Sequence, residues 1–303
     1  MPRPRTLLTP HHDEREGLRL TQNVGYVSHP SITLARFFTG MFTEPLALIF
    51  RHRRMLAVVC SNELKARHAG TLLGIIWLFM YPALFLATYA TVYMLVLKVR
   101  LAIFTGPEYL MLMFTGLVPF LNFAECLSAG TVSVSSNPQL MKNTLFPVAL
   151  LPVKVVICAQ MVQVVGFAIL SIFLAVSGKL GIHYLWVFVI WIFQVMISAG
   201  IVWILAAVNV FFRDLGQIMG LVVLLLMMVS PIGYTEEMIP AALRPILTLN
   251  PLYYIILCYQ RVMLFNQAPP LQLILPFVCA STVIFFAGHK VFVTLKRAFV
   301  ENV

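Results

Sequence analysis

Two histidines and a glutamate near the start of the chain form the first group that could support catalysis. His52, Glu63 and His68 lie in one short stretch, and an integral membrane enzyme, such as a glycolipid acyltransferase, needs a nucleophile or base of this kind at the membrane border. The stretch is strongly basic, however, and holds no second acid placed to orient a histidine. A membrane enzyme is therefore disfavoured, and we expect no catalytic residue.

Nucleotide binding has one possible position, the Gly178-Lys179 pair. A phosphate-binding loop needs a second glycine five residues before the Gly-Lys pair's glycine and a Ser or Thr after the lysine, but Phe173 and Leu180 stand there. The sequence therefore predicts no ATP site in this chain.

The five cysteines show no paired spacing typical of a metal or redox site: Cys60, Cys126, Cys158, Cys258 and Cys279. We expect neither a metal nor a cofactor in this chain.

The elements that would position these residues are membrane spans. The 303-residue chain is 60% hydrophobic and 11% charged, with a mean hydropathy of +0.92, which leaves too little polar surface to cover a soluble globule. Since a span needs about 20 apolar residues, long intervals without a charge identify the spans. Four such intervals are Leu72–Leu97, Leu180–Phe212, Leu215–Thr235 and Val262–His289.

Two further apolar intervals hold one charge each: Tyr109–Ser136 contains Glu125, and Ala149–Ser177 contains Lys154. We interpret both as spans. Lys154 lies near one end, where its stem could extend to the interface, whereas a mid-span glutamate costs about 2.5–3.5 kcal/mol on insertion scales. Glu125 is therefore expected to face protein. The prediction is an all-α protein with six transmembrane helices.

The distribution of charge predicts the orientation of these spans. The net charge is +10, and sixteen Lys/Arg fall on the tails and loops of one side, against five on the other. Because cytoplasmic loops collect Lys and Arg, both termini are predicted to be cytoplasmic. An even number of spans agrees with this. The same asymmetry argues for a membrane protein rather than a nucleic-acid-binding protein.

The N-terminal region divides into a tail and an amphipathic segment. Residues 1–45 are polar and proline-containing, which predicts a flexible cytoplasmic tail, and residues 46–303 form the transmembrane domain. Apolar residues at helical spacing oppose a basic face, as in a helix lying in the membrane plane: Leu48, Ile49, Met55, Leu56 and Val59. Glu63 falls on the apolar face. We see no cleaved signal peptide.

The interval from Glu236 to Arg261 lies between the fifth and sixth predicted spans and is rich in apolar and aromatic residues. Three prolines divide it into short pieces, and Leu252–Leu264 is predicted to form a re-entrant helix that enters the outer leaflet without crossing. The alternative is a short seventh span, which would place the C-terminus outside and break the charge rule.

Four groups of motif residues follow one another over roughly two-thirds of the chain: Glu63-Leu64-Lys65-Ala66-Arg67 with Leu73-Gly74, Trp77 and Pro82; Asn137-Pro138-Gln139-Leu140 with Phe146-Pro147 and Leu151-Pro152; Asn209-Val210-Phe211-Phe212-Arg213-Asp214; and Ser230-Pro231-Ile232 with Tyr234, Pro240, Leu249-Asn250-Pro251 and Arg261. Each motif alone is common at membrane borders. Their order and spacing resemble the type-2 permease subunits of ABC transporters that export O-antigen, capsule and teichoic acid.

The resemblance implies a transport subunit that is driven by a separate ATPase, which would bind ATP and Mg²⁺. Family members place short coupling helices where this chain has 137–147, so the implied ATPase contacts are Asn137, Leu140, Lys142, Phe146 and Pro147. Arg213 and Asp214 are a second candidate, either as an ATPase contact or as a local ion pair, which we favour.

The cargo implied by the resemblance is a lipid-linked glycan, whose phosphates need cationic partners. Five cations are placed for this task, and the competing explanation is that they serve topology alone: Arg51, Arg53, Arg54, Lys65 and Arg67. Aromatic residues at every fourth position of the first span could line a glycan channel, although packing bulk is the commoner use of such a stripe: Trp77, Tyr81, Phe85 and Tyr89.

Six spans enclose half of a polymer-wide path, so the resemblance also implies a homodimer with two ATPase subunits in the bacterial cytoplasmic membrane. The nearest alternative is a drug or small-lipid exporter of the same architecture, since a fold does not determine cargo. A passive channel is disfavoured because the sequence has no repeated filter-like segment.

Overall fold

The computed structural model describes residues 43–68, 70–92, 106–137, 147–239, 242 and 244–302. Regular structure in these ranges is helical throughout. The helices are α1 (43–51), α2 (Arg53–His68), α3 (Trp77–Thr91), α4 (Gly106–Thr131), α5 (Leu150–Val176), α6 (Trp186–Phe211), α7 (Leu215–Val229), α8 (Arg244–Leu247), α9 (Pro251–Met263) and α10 (Leu271–Asn302). The all-α prediction is confirmed for this part of the chain.

Four helical segments are long and apolar enough to cross a membrane: Gly106–Thr131, Leu150–Val176, Ile182–Phe211 and Leu271–Lys296. Each of the four corresponds to a predicted span. Helices α3 and α7 have 15 residues each, or about 22 Å at 1.5 Å per residue, which is shorter than the ~30 Å hydrocarbon core. The structure describes α3 only up to the end of the range 70–92. The count of six membrane spans therefore remains a prediction.

Helix α4 is the centre of the bundle. It packs against α5, α6, α7 and α9, and residues on all its faces are buried, from Leu112 and Leu117 to Phe123 and Leu127. A helix that is apolar on every side contacts either other helices or lipid, and α4 is surrounded by helices. This explains why Asn122, the polar residue midway along α4, is fully buried.

Helices α6 and α10 cross closely at two glycines. Gly200 faces the backbone of Ile284, and Gly288 faces Gly200, so a Cβ at either position would overlap the opposite backbone. Small residues at such crossings let helix backbones approach in the membrane, where packing rather than hydrophobic burial drives association. The two glycines therefore set the separation of these helices.

The predicted helix between the last two spans is confirmed as α9. The side chain of Asn250 caps it by accepting a hydrogen bond from the N–H of Leu252 at 3.0 Å, and Pro251 stands in its first turn, where a missing N–H is tolerated. Asn250 Nδ2 also donates to Ser230 Oγ at 3.0 Å. Its depth in the membrane remains a prediction.

The helices of the bundle end at two ends of the molecule, which we call the Lys179 end and the Leu150 end after a residue at each. At the Lys179 end, Lys179 pairs with Glu108 at 2.6 Å, and Gly181 lies against Asn266. At the Leu150 end, Asn209 Nδ2 donates to Ser135 Oγ at 2.8 Å. The charge rule predicts that the Leu150 end is cytoplasmic.

Candidate functional site

Helix α2 is docked on the bundle at the Leu150 end. Its apolar face, continued from α1, packs into a cluster of buried residues from α5, α6 and α10, with Leu56 buried and Met55 and Val59 partly buried. The predicted apolar face is therefore real, but protein covers it. The position of α1 and α2 in the plane of the membrane stays a prediction.

The opposite face of α1 and α2 carries the predicted basic group. Arg51, Arg53, Arg54 and Lys65 are all exposed, and Arg67 belongs to α2, although its side chain is outside the described residues. The four described cations thus share a solvent-facing surface suited to anions. Their predicted role with a lipid headgroup remains a hypothesis.

Glu63 leaves this surface to pair with Lys154 of α5. Lys154 Nζ donates to Glu63 Oε2 at 3.0 Å, with side-chain exposures of 4% and 35% respectively. Lys154 therefore does not extend to the interface as the sequence suggested, because the partly exposed carboxylate of Glu63 holds its buried ammonium at the contact between α2 and α5. The pair also explains why a glutamate stands on the apolar face of α2, and it engages the carboxylate that a catalytic role would need.

Two cysteines lie beside this ion pair. Cys60 Sγ is 3.8 Å from the carbonyl oxygen of Lys154, and Cys158 Sγ is 4.0 Å from the carbonyl oxygen of Cys60. Hydrogen bonding to Cys158 and burial raise the pKa of the Cys60 thiol. The thiol therefore remains protonated at neutral pH, and only thiolates react readily, so Cys60 serves packing here.

The start of α5 is also held from its other side. Trp203 Nε1 donates to the carbonyl oxygen of Ala149 at 2.8 Å, and the fully buried indole packs against the rings of Phe285 and His289. A buried indole N–H needs such a partner. The first turn of α5 is therefore fixed between α2 and α6.

The predicted ATPase-contacting segment borders this point. Asn137 Nδ2 donates to the carbonyl oxygen of Ser133 at 2.9 Å and so closes the turn that follows α4, and Pro147 lies just before α5. Leu140, Lys142 and Phe146 lie outside the described residues. Asn137 and Pro147 therefore both lie at the Leu150 end.

Arg213 and Asp214 form the turn between α6 and α7. Both side chains are exposed, and among the described residues no ion pair involves either one. The turn is shaped instead by Asn209, whose side-chain oxygen accepts a hydrogen bond from the N–H of Gly216 at 3.1 Å. The favoured ion pair is not seen there, and the exposure suits contact with another subunit.

The aromatic stripe of α3 changes environment along its length. Trp77 and Tyr81 are exposed, whereas Phe85 and Tyr89 are partly buried against the main core. Tyr81 and Phe85 have ring centroids 6.3 Å apart, and Phe85 and Tyr89 4.9 Å apart. Half of the stripe therefore packs on the protein, and the other half is open to lipid or to a second chain.

A buried hydrogen-bond network, which the sequence analysis missed, links four helices in mid-bundle. Gln194 Nε2 donates to Gln163 Oε1 at 2.9 Å and to Asn122 Oδ1 at 3.2 Å, and Tyr259 Oη donates to Gln194 Oε1 at 2.8 Å. Neutral amides inside apolar spans were the available signal, since such groups need partners in a membrane. The network joins α4, α5, α6 and α9.

The Lys179 end holds an open polar pocket of about 400 Å³. Its charged lining is balanced, with Glu236, Glu237, Arg244 and Arg261, and Arg261 pairs with Glu236 at 3.2 Å. The guanidinium also lies 5.7 Å from the ring centre of Phe265. The pocket offers carboxylate, guanidinium and amide groups without a net charge.

A family model described as ABC-2 type transporter matches residues 54–264. The chain belongs to this family. The match runs from α2 to the residue after α9, and so includes the Glu63–Lys154 pair and both predicted cytoplasmic contact regions. With four apolar helices of spanning length, this ABC-2 type protein is a multi-pass membrane protein.

Relatives within the family share most of the chain's length. An "O-antigen export system permease protein RfbA" from Myxococcus xanthus is 26% identical over 258 residues, covering 84% of this chain and 97% of the relative. Two proteins of the same name from Klebsiella pneumoniae are 30% and 29% identical over 249 residues, each covering 82% of this chain and 94% of the relative. The similarity therefore extends over nearly the whole of each relative.

Proposed function

We propose that the chain is the membrane-spanning permease subunit of an ATP-driven exporter that moves lipid-linked polysaccharide of the O-antigen type across the bacterial cytoplasmic membrane. The observation that carries the proposal is the similarity to permeases of O-antigen export systems over 94–97% of their length. The chain itself acts as a transport subunit and not as an enzyme. ATP and Mg²⁺ bind to a separate ATPase subunit.

The proposed topology has six spans with both termini in the cytoplasm. Helices α3 and α7 supply the two spans beyond the four long helices. The charges support this orientation, because the Leu150 end exposes cations, whereas Lys179 and Arg261 at the Lys179 end are each paired with a glutamate. Among the described residues, the exposed cations at the Leu150 end are Arg51, Arg53, Arg54, Lys65, Arg213, Lys290 and Lys296, against Arg244 at the Lys179 end. The Leu150 end is then cytoplasmic, as the positive-inside rule requires.

The proposed assembly contains two permeases and two ATPase subunits. Helix α7 supports pairing because Met219 is its one buried residue, while Ile218, Leu221 and Leu225 are exposed. This apolar face adjoins lipid or a second copy. In a homodimer, the glycan passes between the copies, with the open half of the α3 stripe, Trp77 and Tyr81, on the path.

The two ends have different tasks in this proposal. At the cytoplasmic end, Arg51, Arg53, Arg54, Lys65 and Arg67 hold the phosphates of the lipid anchor, while segment 137–147 and the Arg213-Asp214 turn contact the ATPase. At the outer end, the balanced pocket presents groups that form hydrogen bonds with neutral hydroxyls, as an emerging sugar requires.

Deleting the gene in its native host tests this proposal. We expect the surface glycan to disappear and its lipid-linked precursor to accumulate inside the cell, with both effects reversed by the wild-type gene. Surface staining and extraction of lipid-linked glycans provide the measurements. Unchanged surface glycan with an altered sensitivity to small amphiphiles would instead support the drug or small-lipid exporter.

A further inference from the structure

The Glu63–Lys154 pair joins two elements that the proposed function uses separately. One is α2, whose outer face carries the basic group. The other is α5, which begins three residues after Pro147, the last residue of the predicted ATPase-contacting segment. We infer that Glu63 and Lys154 are positioning residues that hold α2 and α5 in register, so that a displacement imposed by the ATPase moves both helices as one unit. This inference rests on the proposed role of a separate ATPase.

The contact between α2 and α5 is specific because its charged atoms, those of Glu63 and Lys154, meet at one point. The two residues are 91 positions apart in the sequence, and Lys154 is almost completely buried. A buried ammonium requires a partner, since removing one member of such a pair leaves a desolvated charge. Around the pair, the helices touch through Cys60 and Cys158. Sliding of α2 along α5 by one turn, about 5.4 Å, would break this contact.

The position of Lys154 suits transmission. It lies four residues into α5, about 6 Å along the axis from Leu150, and the hydrogen bond from Trp203 to Ala149 holds the residue just before α5 against α6. A push on segment 137–147 therefore reaches α2 through the ion pair and α6 through the indole. The basic face of α2 would then move together with the span that follows the pushed segment.

The chain offers a matched control at its other end. Glu108 near the start of α4 and Lys179 in the connection after α5 also form an ion pair, at 2.6 Å, but both side chains are about one-third exposed, with 31% and 32%. Pairs of this kind contribute little to stability. The pair lies at the Lys179 end, away from the ATPase-contacting region, so neutralising it should not affect coupling.

The test compares ATPase stimulation in purified complexes of the permease with its ATPase. The variants are Glu63→Gln, the double apolar replacement Glu63→Leu with Lys154→Met, the exchange Glu63→Lys with Lys154→Glu, and the control Glu108→Gln. The measured quantity is the ratio of ATP hydrolysis with lipid-linked glycan to hydrolysis without it. The apolar pair guards against misfolding, because it leaves no unpaired charge at the buried position of Lys154, and such apolar replacements commonly preserve stability.

We expect Glu63→Gln and the apolar pair to assemble with the ATPase yet lose about five-fold or more of the stimulation ratio, a typical coupling between sites. The exchange should restore most of it, and Glu108→Gln should match wild type. An apolar pair that is stimulated as well as wild type would overturn the inference, since packing alone would then suffice. A wild-type permease that neither binds an ATPase nor is stimulated would instead overturn the proposed function.

Discussion

The buried amide network is the residue-scale feature with the clearest energetic consequence. Gln194 bonds to three side chains on three other helices: Asn122, Gln163 and Tyr259. Replacing Gln194 by Leu removes these three hydrogen bonds from the bundle interior and should lower the free energy of unfolding by about 1–3 kcal/mol. Thermal unfolding of the detergent-solubilised protein measures the loss.

The control for Gln194→Leu is Gln217→Leu, because Gln217 is exposed at the start of α7. That change should alter stability by about 0.5 kcal/mol or less. Equal unfolding temperatures for the two variants would show that the network contributes nothing beyond what an apolar side chain supplies.

The basic face of α1 and α2 carries the second prediction at this scale. Neutralising Arg53 and Arg54 to Gln removes two cations, each worth about 1 kcal/mol near an anionic lipid surface. We expect the concentration of lipid-linked glycan that half-stimulates the ATPase to rise about tenfold or more. Lys296→Gln, an exposed cation on α10, provides the control. Normal stimulation with correct insertion would assign Arg53 and Arg54 to topology alone.

Individual residues could be predicted from the sequence only in part. Lys154 and Glu63 each stood out as a charge in an apolar setting, but their partnership spans 91 positions and depends on how α2 docks, which periodicity does not reveal. The same holds for Gln163 and Gln194, whose bond requires the packing of α5 on α6. Isolated charges and amides in apolar helices indicate that partners exist without naming them.

At the scale of elements, the α6–α10 crossing depends on two glycines. A methyl group at Gly200 or Gly288 would meet opposing backbone, which cannot move aside without separating the helices. Gly200→Ala and Gly288→Ala should each lower stability by about 1–3 kcal/mol, as overpacking does. Gly220→Ala meets nothing within 4 Å and should gain up to about 1 kcal/mol from helix propensity.

Thermal unfolding of the three glycine variants checks this expectation. A loss in all three would indicate a general effect of substitution in these helices. A loss confined to Gly200 and Gly288 would identify the crossing as the cause. Gly200→Ala with wild-type stability would contradict the close approach of α6 and α10.

Elements were the most predictable level of the structure. Apolar length located the four long helices, two in charge-free intervals and two in intervals with a single charge, and prolines in an apolar stretch located α9, whose first residues are held by Asn250. The docking of α2 was less predictable, since an amphipathic face packs equally well on lipid or on protein. Helix α7 has 15 residues, whereas the charge-free interval ran on to Thr235, because Ser230 and Pro231 end the helix.

The whole-molecule prediction concerns whether α7 crosses the membrane. Gln217 is exposed near the start of α7, and Glu237 is exposed beyond its end. In a Cys279→Ala background, Gln217→Cys and Glu237→Cys therefore report on the two faces of the membrane. With a membrane-impermeant maleimide on spheroplasts, Glu237→Cys should react directly and Gln217→Cys only after permeabilisation. Labelling of both from one face would contradict six spans.

The central claim is that this ABC-2 type protein works as the membrane subunit of an ATP-driven glycan exporter. The most direct measurement is to tag the chain in its native host, purify it in mild detergent, identify the proteins that accompany it and assay ATP hydrolysis. We predict that a soluble ATPase co-purifies and that lipid-linked glycan stimulates its activity. A chain that arrives alone and inert in several detergents would contradict the claim.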